Sequence, residues 1–198
     1  MVSIFDFLDA RACLYKTLSS DIVFRESIMH ASSMIEGALT RGNKLLIFGN
    51  GGSAAEAQHF AAELICRFET ERKSIPAIAL TTDSSILTAE GNDAGFEYIF
   101  SRQIEGLTKS GDIVFGITTS DFNTENRHSV NIREAFLIAR RSGAVCIGLF
   151  SAKTKDLLQL VDAAVIVPDQ KTALIQEVHL CIIHLLCSLI EEKYKSPY

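Results

Sequence analysis

The sequence predicts an α/β fold, a three-layer α-β-α sandwich around a five-stranded parallel sheet, with a pair of helices ahead of the first strand. Two patterns carry this. Five short apolar runs, KLLIFG (44–49), AIAL (77–80), IVFGIT (113–118), AVCIGLF (144–150) and AAVIVP (163–168), alternate with helical stretches after residue 44. The runs are continuous rather than alternating, as expected of strands covered on both faces, and strands separated by helices pair in parallel.

The first forty residues carry no strand signal. Phe5, Leu8, Ala12, Tyr15 and Leu18, then Ile22, Ile28, Ala31, Ile35 and Leu39, recur mostly at three- and four-residue steps, which makes two amphipathic helices. Asp21 is placed to cap the second, and Gly42-Asn43 to stop it. Further helices are expected over 53–67, 96–107, 130–142, 153–160 and about 173–192. Gly111-Asp112 and Ser142-Gly143 mark the turns into the third and fourth strands.

A chain of 198 residues with 47% apolar and 22% charged side chains has the composition of one globular domain, taken here as residues 1–198; its N-terminal helices, within 1–42, either cap the sheet or, the reading favoured, are used in oligomerisation. A net charge of -5 and no basic run longer than Arg140-Arg141 leave no broad footprint for nucleic acid or anionic lipid. The five scattered cysteines form no C-x-x-C pair and fit reduced thiols. No stretch supplies ~18 uninterrupted apolar residues for a membrane span. A soluble, cytoplasmic chain is expected.

Chemistry enters after the first strand. In Gly49-Asn50-Gly51-Gly52-Ser53 the glycines permit positive φ and close approach of a ligand, and the next helix aims its positive end at the same spot. The spacing Gly49-x-Gly51-x-x-Ala54 matches a dinucleotide fingerprint, but that motif needs an acidic residue at the end of the second strand, and the first one there, Asp83, lies about ten residues too far on. No Lys follows the glycines, so the loop is not a nucleoside triphosphate loop. A ligand-free turn also fits these residues. Thr118-Thr119-Ser120 adds three hydroxyls at the carboxyl end of the third strand, as a helix cap or as part of a sugar-phosphate site.

The helix that follows places His59 and Glu63 one turn apart, on one face. The last helix carries Gln176, Glu177, His179 and His184 inside an apolar frame, with Gln176 and His184 about 80° apart on the same side. Imidazole, carboxylate and amide oxygen suit a divalent metal such as zinc, and Glu63 suits a general base. The ordinary alternative is a hydrogen-bonded or surface histidine, as read for His30, His128 and His179.

GNGGSAAEAQHFAAEL, LTAEGNDAGFE, TTS and IQEVHLCIIHLLCSLIEE together resemble the phosphoheptose isomerases of the sugar-isomerase (SIS) class over nearly the whole chain. The resemblance implies a flavodoxin-like sandwich, a homotetramer with sites between subunits, and interconversion of sedoheptulose 7-phosphate and D-glycero-D-manno-heptose 7-phosphate for lipopolysaccharide, capsule or another glycoconjugate. It places one zinc per subunit on His59, Glu63, Gln176 and His184. It makes Glu63 and His184 the acid-base pair, and puts Asn50, Gly51, Gly52, Ser53, Glu63, Asn92, Asp93, Thr118, Thr119, Ser120 and Gln176 around the substrate. A sister group of the class binds the bacterial replication initiator, and RFETERKSIPAIALTTD is similar to that group too. Its members typically lack acid-base residues where this chain has Glu63 and His184.

One segment departs from the family. Its members usually read S-T-S-G-N-S after the third strand, where this chain reads TTSDFNTENRHS, 118–129. Asp121 and Glu125 are expected to bring negative charge towards the phosphate, Arg127 or His128 to compensate, and Ser129 to replace the displaced serine. Ala173 stands where relatives often carry Asp or Pro. These changes leave open a sugar phosphate other than heptose.

Overall fold

The computed structural model describes residues 3–194, so the outermost residues of the expected domain, 1–2 and 195–198, lie outside it. The five expected strands form, as β1 (Leu45–Gly49), β2 (Ala77–Ala79), β3 (Ile113–Ile117), β4 (Val145–Ser151) and β5 (Ala163–Val167). All pair in parallel in the order β2-β1-β3-β4-β5. Alternation within each buried run divides the core in two. Leu45, Ile47, Phe115, Ile117, Leu149 and Val165 face a cluster with α2 (Ile22–Thr40), α3 (Gly52–Ile65) and α7 (Thr172–Tyr194). Leu46, Phe48, Val114, Cys146 and Phe150 face a second with α5 (Ser101–Leu107) and α6 (Val130–Arg141). That is the three-layer sandwich.

The helix α1 (Ile4–Ser20) precedes α2, and the Asp21 carboxylate between them accepts from Phe24 N–H at 3.0 Å, the expected cap. Ile4, Phe5, Leu8, Ile22, Val23 and Met29 on this pair remain exposed. Among the described helices, α7 is the one long and apolar enough to cross a bilayer, and half of its apolar window is buried inside the fold.

Three helix expectations are corrected. A helix not anticipated, α4 (Ser84–Asp93), follows β2; it buries no residue, so it carries little apolar periodicity, and Asp83 caps it on Ile86 N–H. The single helix expected over 96–107 divides into a 3-10 turn at Phe96–Tyr98 and α5, after Gly95 at φ 124° has broken the chain direction. The stretch 153–160 makes only a 3-10 turn, Asp156–Leu160.

Asp112 ties the start of β3 to the start of β1. It is 1% exposed, and its carboxylate accepts from the Lys44 ammonium, from Lys44 N–H at 3.1 Å, Lys109 N–H at 2.8 Å and Asn43 Nδ2 at 3.2 Å. Burial pushes its pKa up, but Lys44 and the backbone donors outweigh burial and hold it below the ordinary value. A depressed folded-state pKa contributes stability that is present above the unfolded value and lost as pH falls through the folded one. Asp112→Asn should cost about 2–3 kcal/mol at neutral pH, a melting temperature lower by about 5–10 °C. Thermal melts should show the gap to wild type narrowing as pH falls below about 4, the ordinary Asp value; a gap independent of pH would contradict this account.

Candidate active site

Two parallel neighbours deliver the crevice. Gly49 of β1 pairs with Ile117 of β3, so the glycine loop and the hydroxyl loop leave the carboxyl edge side by side. A Cβ at Gly49 would meet the Ile117 carbonyl and Ser53 at 2.8 Å, and Gly51 sits at φ 56°, so the close approach and the reversal both require glycine. The side chains of Asn50 and Asn131 exchange hydrogen bonds of 2.9 and 2.7 Å, binding the loop before α3 to the first turn of α6. Two helix N-termini thereby open on one crevice. Asn50 and Gly51 also line a cavity of about 140 Å³ with Thr81, Phe96 and Phe100.

Behind the loop, α3 packs on α7, and this seam gathers the predicted chemistry. His59 Nε2 lies 2.9 Å from His184 Nε2 and 3.3 Å from Glu63 Oε1. One donor atom from each of the three lies within 4.8 Å of the others. The His184 ring is held between His59, at 5.0 Å between centroids, and Phe68, stacked at 5.3 Å with planes 25° apart. Cys187 adjoins Glu63; burial first, then the charge of Glu63, pushes its thiol up to about 12, so it stays protonated beside the cluster.

Gln176, the fourth predicted ligand, lies at the other end of the seam, against Gly52. A Cβ on Gly52 would come within 2.1 Å of Gln176 Nε2. Between the two ends is a pair that the sequence reading passed over. His179, fully buried, places Nε2 3.0 Å from the Phe150 carbonyl, and its Nδ1 faces Glu56 Oε2 at 3.7 Å, too far for a hydrogen bond. Neither facing atom has another partner.

The remaining predicted contacts divide. Ser53 is buried at the start of α3, with its N–H on the Asn50 carbonyl. The Thr118 hydroxyl closes a turn, donating to the Ser120 carbonyl at 2.9 Å and accepting its N–H at 3.2 Å. Thr119 accepts from Ser151 through its carbonyl, and Ser120 Oγ meets His128 Nε2 at 2.8 Å. Ser129 stands at the N-cap of α6 at φ 53° with no side-chain capping bond. Asn92 donates to Asp93 at 2.7 Å on the exposed end of α4.

The expected charge pattern of segment 121–129 is corrected. The Asp121 carboxylate accepts N–H bonds from Lys155 and Asp156 at 2.6 Å and Leu157 at 3.2 Å, so its charge caps the 3-10 turn. Arg127 pairs with Glu97. The compensation expected of Arg127 is therefore directed at Glu97.

A buried network that sequence reasoning missed joins α7 to the segment after α3. The carboxylate of Glu191 accepts from the N–H groups of Phe68, Glu69 and Thr70 and from Arg72 Nε. A signal existed: Glu191 continues the four-residue steps Ile183-Cys187 on the buried side of α7, where a charge demands a partner.

The fold and crevice are those of a sugar-isomerase domain, and the SIS domain family model matches residues 14–151. A phosphoheptose isomerase of Pelobacter propionicus is 45% identical over 93% of this chain and 94% of its own, and one of Geobacter sulfurreducens is 49% identical over 82% of each. Among solved structures, a phosphoheptose isomerase from Francisella tularensis superposes with a TM-score of 0.88 at 33% identity, covering 96% of both chains. That of Neisseria gonorrhoeae gives 0.85 at 34%, covering 96% of this chain and 97% of its own. The chain belongs to the phosphoheptose isomerase family.

The Gly52–Gln176 contact is testable. Gly52→Ala should leave the fold intact, because the displaced group is the end of a flexible side chain, while driving the Gln176 amide from its place. The expected outcome is an unchanged melting temperature with sugar-phosphate binding weakened about tenfold by calorimetry; unchanged binding would show that the contact is incidental.

Proposed function

We propose that this chain is an isomerase that converts sedoheptulose 7-phosphate to D-glycero-D-manno-heptose 7-phosphate for bacterial heptose biosynthesis, towards lipopolysaccharide or capsule. The observation that carries the reading is the meeting of Glu63, His59 and His184 on the α3–α7 seam, beside a crevice fitted for an anion. A scaffold that only binds a protein partner has no chemical need of a carboxylate and two imidazoles at contact distance, and the similar relatives carry the isomerase name.

Aldose-ketose exchange moves a proton between adjacent carbons through an enediol, so it needs a base, an acid and charge stabilisation on two oxygens. Glu63 takes the carbon proton. His184, its ring fixed between His59 and Phe68, handles the complementary transfer on oxygen. The phosphate is held by backbone N–H groups at the start of α3, with Ser53, Ser120 and Ser129 at the rim, and Asn50 keeps the two helix starts in register through Asn131. Thr118 shapes the rim by its closed turn, and Thr119 by its bond from Ser151.

Zinc is the metal that the donor set fits. Zinc takes imidazole and carboxylate ligands, and the donor atoms of the three side chains all lie within 4.8 Å of one another. His59, Glu63 and His184 would hold it; Gln176, expected as a fourth ligand, lies at the Gly52 end of the seam and would contact the sugar phosphate instead. When bound, zinc polarises the carbonyl and stabilises the developing oxyanion.

Assembly belongs to the same reading. The exposed apolar face of α1 and α2, and a groove between α2 and α7 lined by Ile22, Ile28, Met29, Leu185 and Leu189, support a cytoplasmic homotetramer with sites between subunits. Asn92 and Asp93 would then reach substrate across a subunit boundary. A monomer by light scattering would remove this part.

The decisive assay is turnover of sedoheptulose 7-phosphate with and without chelator and added zinc. Glu63→Gln should lower kcat by at least about 100-fold with the melting temperature preserved. Residual activity near that of wild type would sink the assignment of Glu63 as base.

A further inference from the structure

We infer that Arg72, Glu191 and Phe68 form a positioning device for the acid-base pair, a role that rests on the proposed isomerase reading. Both members of its ion pair are buried, the Arg72 side chain at 0% and that of Glu191 at 3% exposure, with Arg72 Nε 3.1 Å from Glu191 Oε1. A buried ion pair is weak evidence of stabilisation by itself. What distinguishes this one is where its remaining bonds go.

Arg72 reaches back to the end of α3. Its Nη2 donates to the Glu63 carbonyl at 2.7 Å, and its Nη1 to the Leu64 carbonyl at 2.9 Å and the Lys73 carbonyl at 3.1 Å. Carbonyls in the last turn of a helix have no partner within it, and a guanidinium there also opposes the negative end of the dipole. The backbone of Glu63 is thus held by a side chain outside its own helix.

Glu191 holds the intervening strand of chain. Its two oxygens accept from Phe68 N–H at 3.2 Å, Glu69 N–H at 2.9 Å and Thr70 N–H at 3.0 Å. Burial raises its pKa, but these three donors and Arg72 outweigh it and leave the group below the ordinary carboxylate range, so it is ionised at neutral pH. The segment so anchored begins with Phe68, whose ring stacks on His184. One carboxylate on α7 therefore fixes both partners: Glu63 through Arg72, and His184 through Phe68. Neither Arg72 nor Glu191 touches the reacting atoms.

The test uses the full chain and compares Phe68→Leu, Phe68→Tyr, Arg72→Lys and Glu191→Gln with Ile35→Val, a core change away from the seam. Readouts are kcat and KM on sedoheptulose 7-phosphate, zinc affinity by competition with a chromophoric chelator, and thermal melts. Phe68→Leu keeps apolar volume but loses the stacked face. It should lower kcat about tenfold with KM within about twofold, and Phe68→Tyr should restore kcat. Arg72→Lys and Glu191→Gln should lower kcat and weaken zinc about tenfold at temperatures where circular dichroism shows them folded. Ile35→Val should melt earlier with kcat unchanged.

Full kcat and zinc affinity in folded Phe68→Leu and Glu191→Gln would overturn the inference, as would losses that merely track the unfolded fraction. If wild type binds zinc but turns over no sedoheptulose 7-phosphate, the substrate proposal fails alone and the zinc affinities decide this one. A wild type with neither property overturns both.

Discussion

The site depends on the packing of α3 against α7. Two helices pressed together above a parallel sheet bury the middle of their shared face, where Glu56 and His179 need partners from the other helix or the sheet, and leave His59 and Glu63 partly open to solvent. Here the face carries Gly52 against Gln176, Glu56 against His179, His59 against His184, and Glu63 beside Cys187. A smaller residue at one end allows the helices to close, and the ion pair of Arg72 with Glu191 seals the other. The clustered carboxylate and imidazoles lie on a seam that also joins the two helices.

That constraint explains which parts were legible in the sequence. Continuous apolar runs bounded by turns identify strands because both faces of a parallel sheet are covered, and all five strands emerged where the runs lie. His59 and Glu63 were legible because one helical turn is a fixed distance, and His184 because an imidazole inside an apolar frame is conspicuous. Glu191 was equally conspicuous in the same frame, but its partners lie more than a hundred residues earlier in an irregular segment, 68–72, with no periodicity to read. The helix α4 escaped for the opposite reason: it buries nothing, so no apolar stripe announces it.

His179 shows the limit of residue-type reasoning. The sequence marks it as one more helix histidine, and its exposure of 0% is decided by the sheet strand beneath it. A carbonyl can only accept, so the bond to Phe150 requires Nε2 to donate, and Nδ1 is left facing Glu56 across 3.7 Å. This is the loosest rung of the seam, between the Gln176 and His184 contacts: Nδ1 and the carboxylate oxygen are both acceptors, so a hydrogen bond there needs an added proton as well as a closer approach.

The departure at 118–129 reads differently once its partners are known. From composition, two carboxylates near a phosphate are a liability, and the arginine looks like its remedy. In the fold, the Asp121 carboxylate accepts from three N–H groups at residues 155–157 and Arg127 pairs with Glu97, so these two charges have partners outside the glycine loop. What the segment leaves at the rim is Ser120 with His128, and Ser129 at an uncapped helix start. Those groups can donate to an anion, so on the proposed reading the altered segment still offers a phosphate partners at the rim.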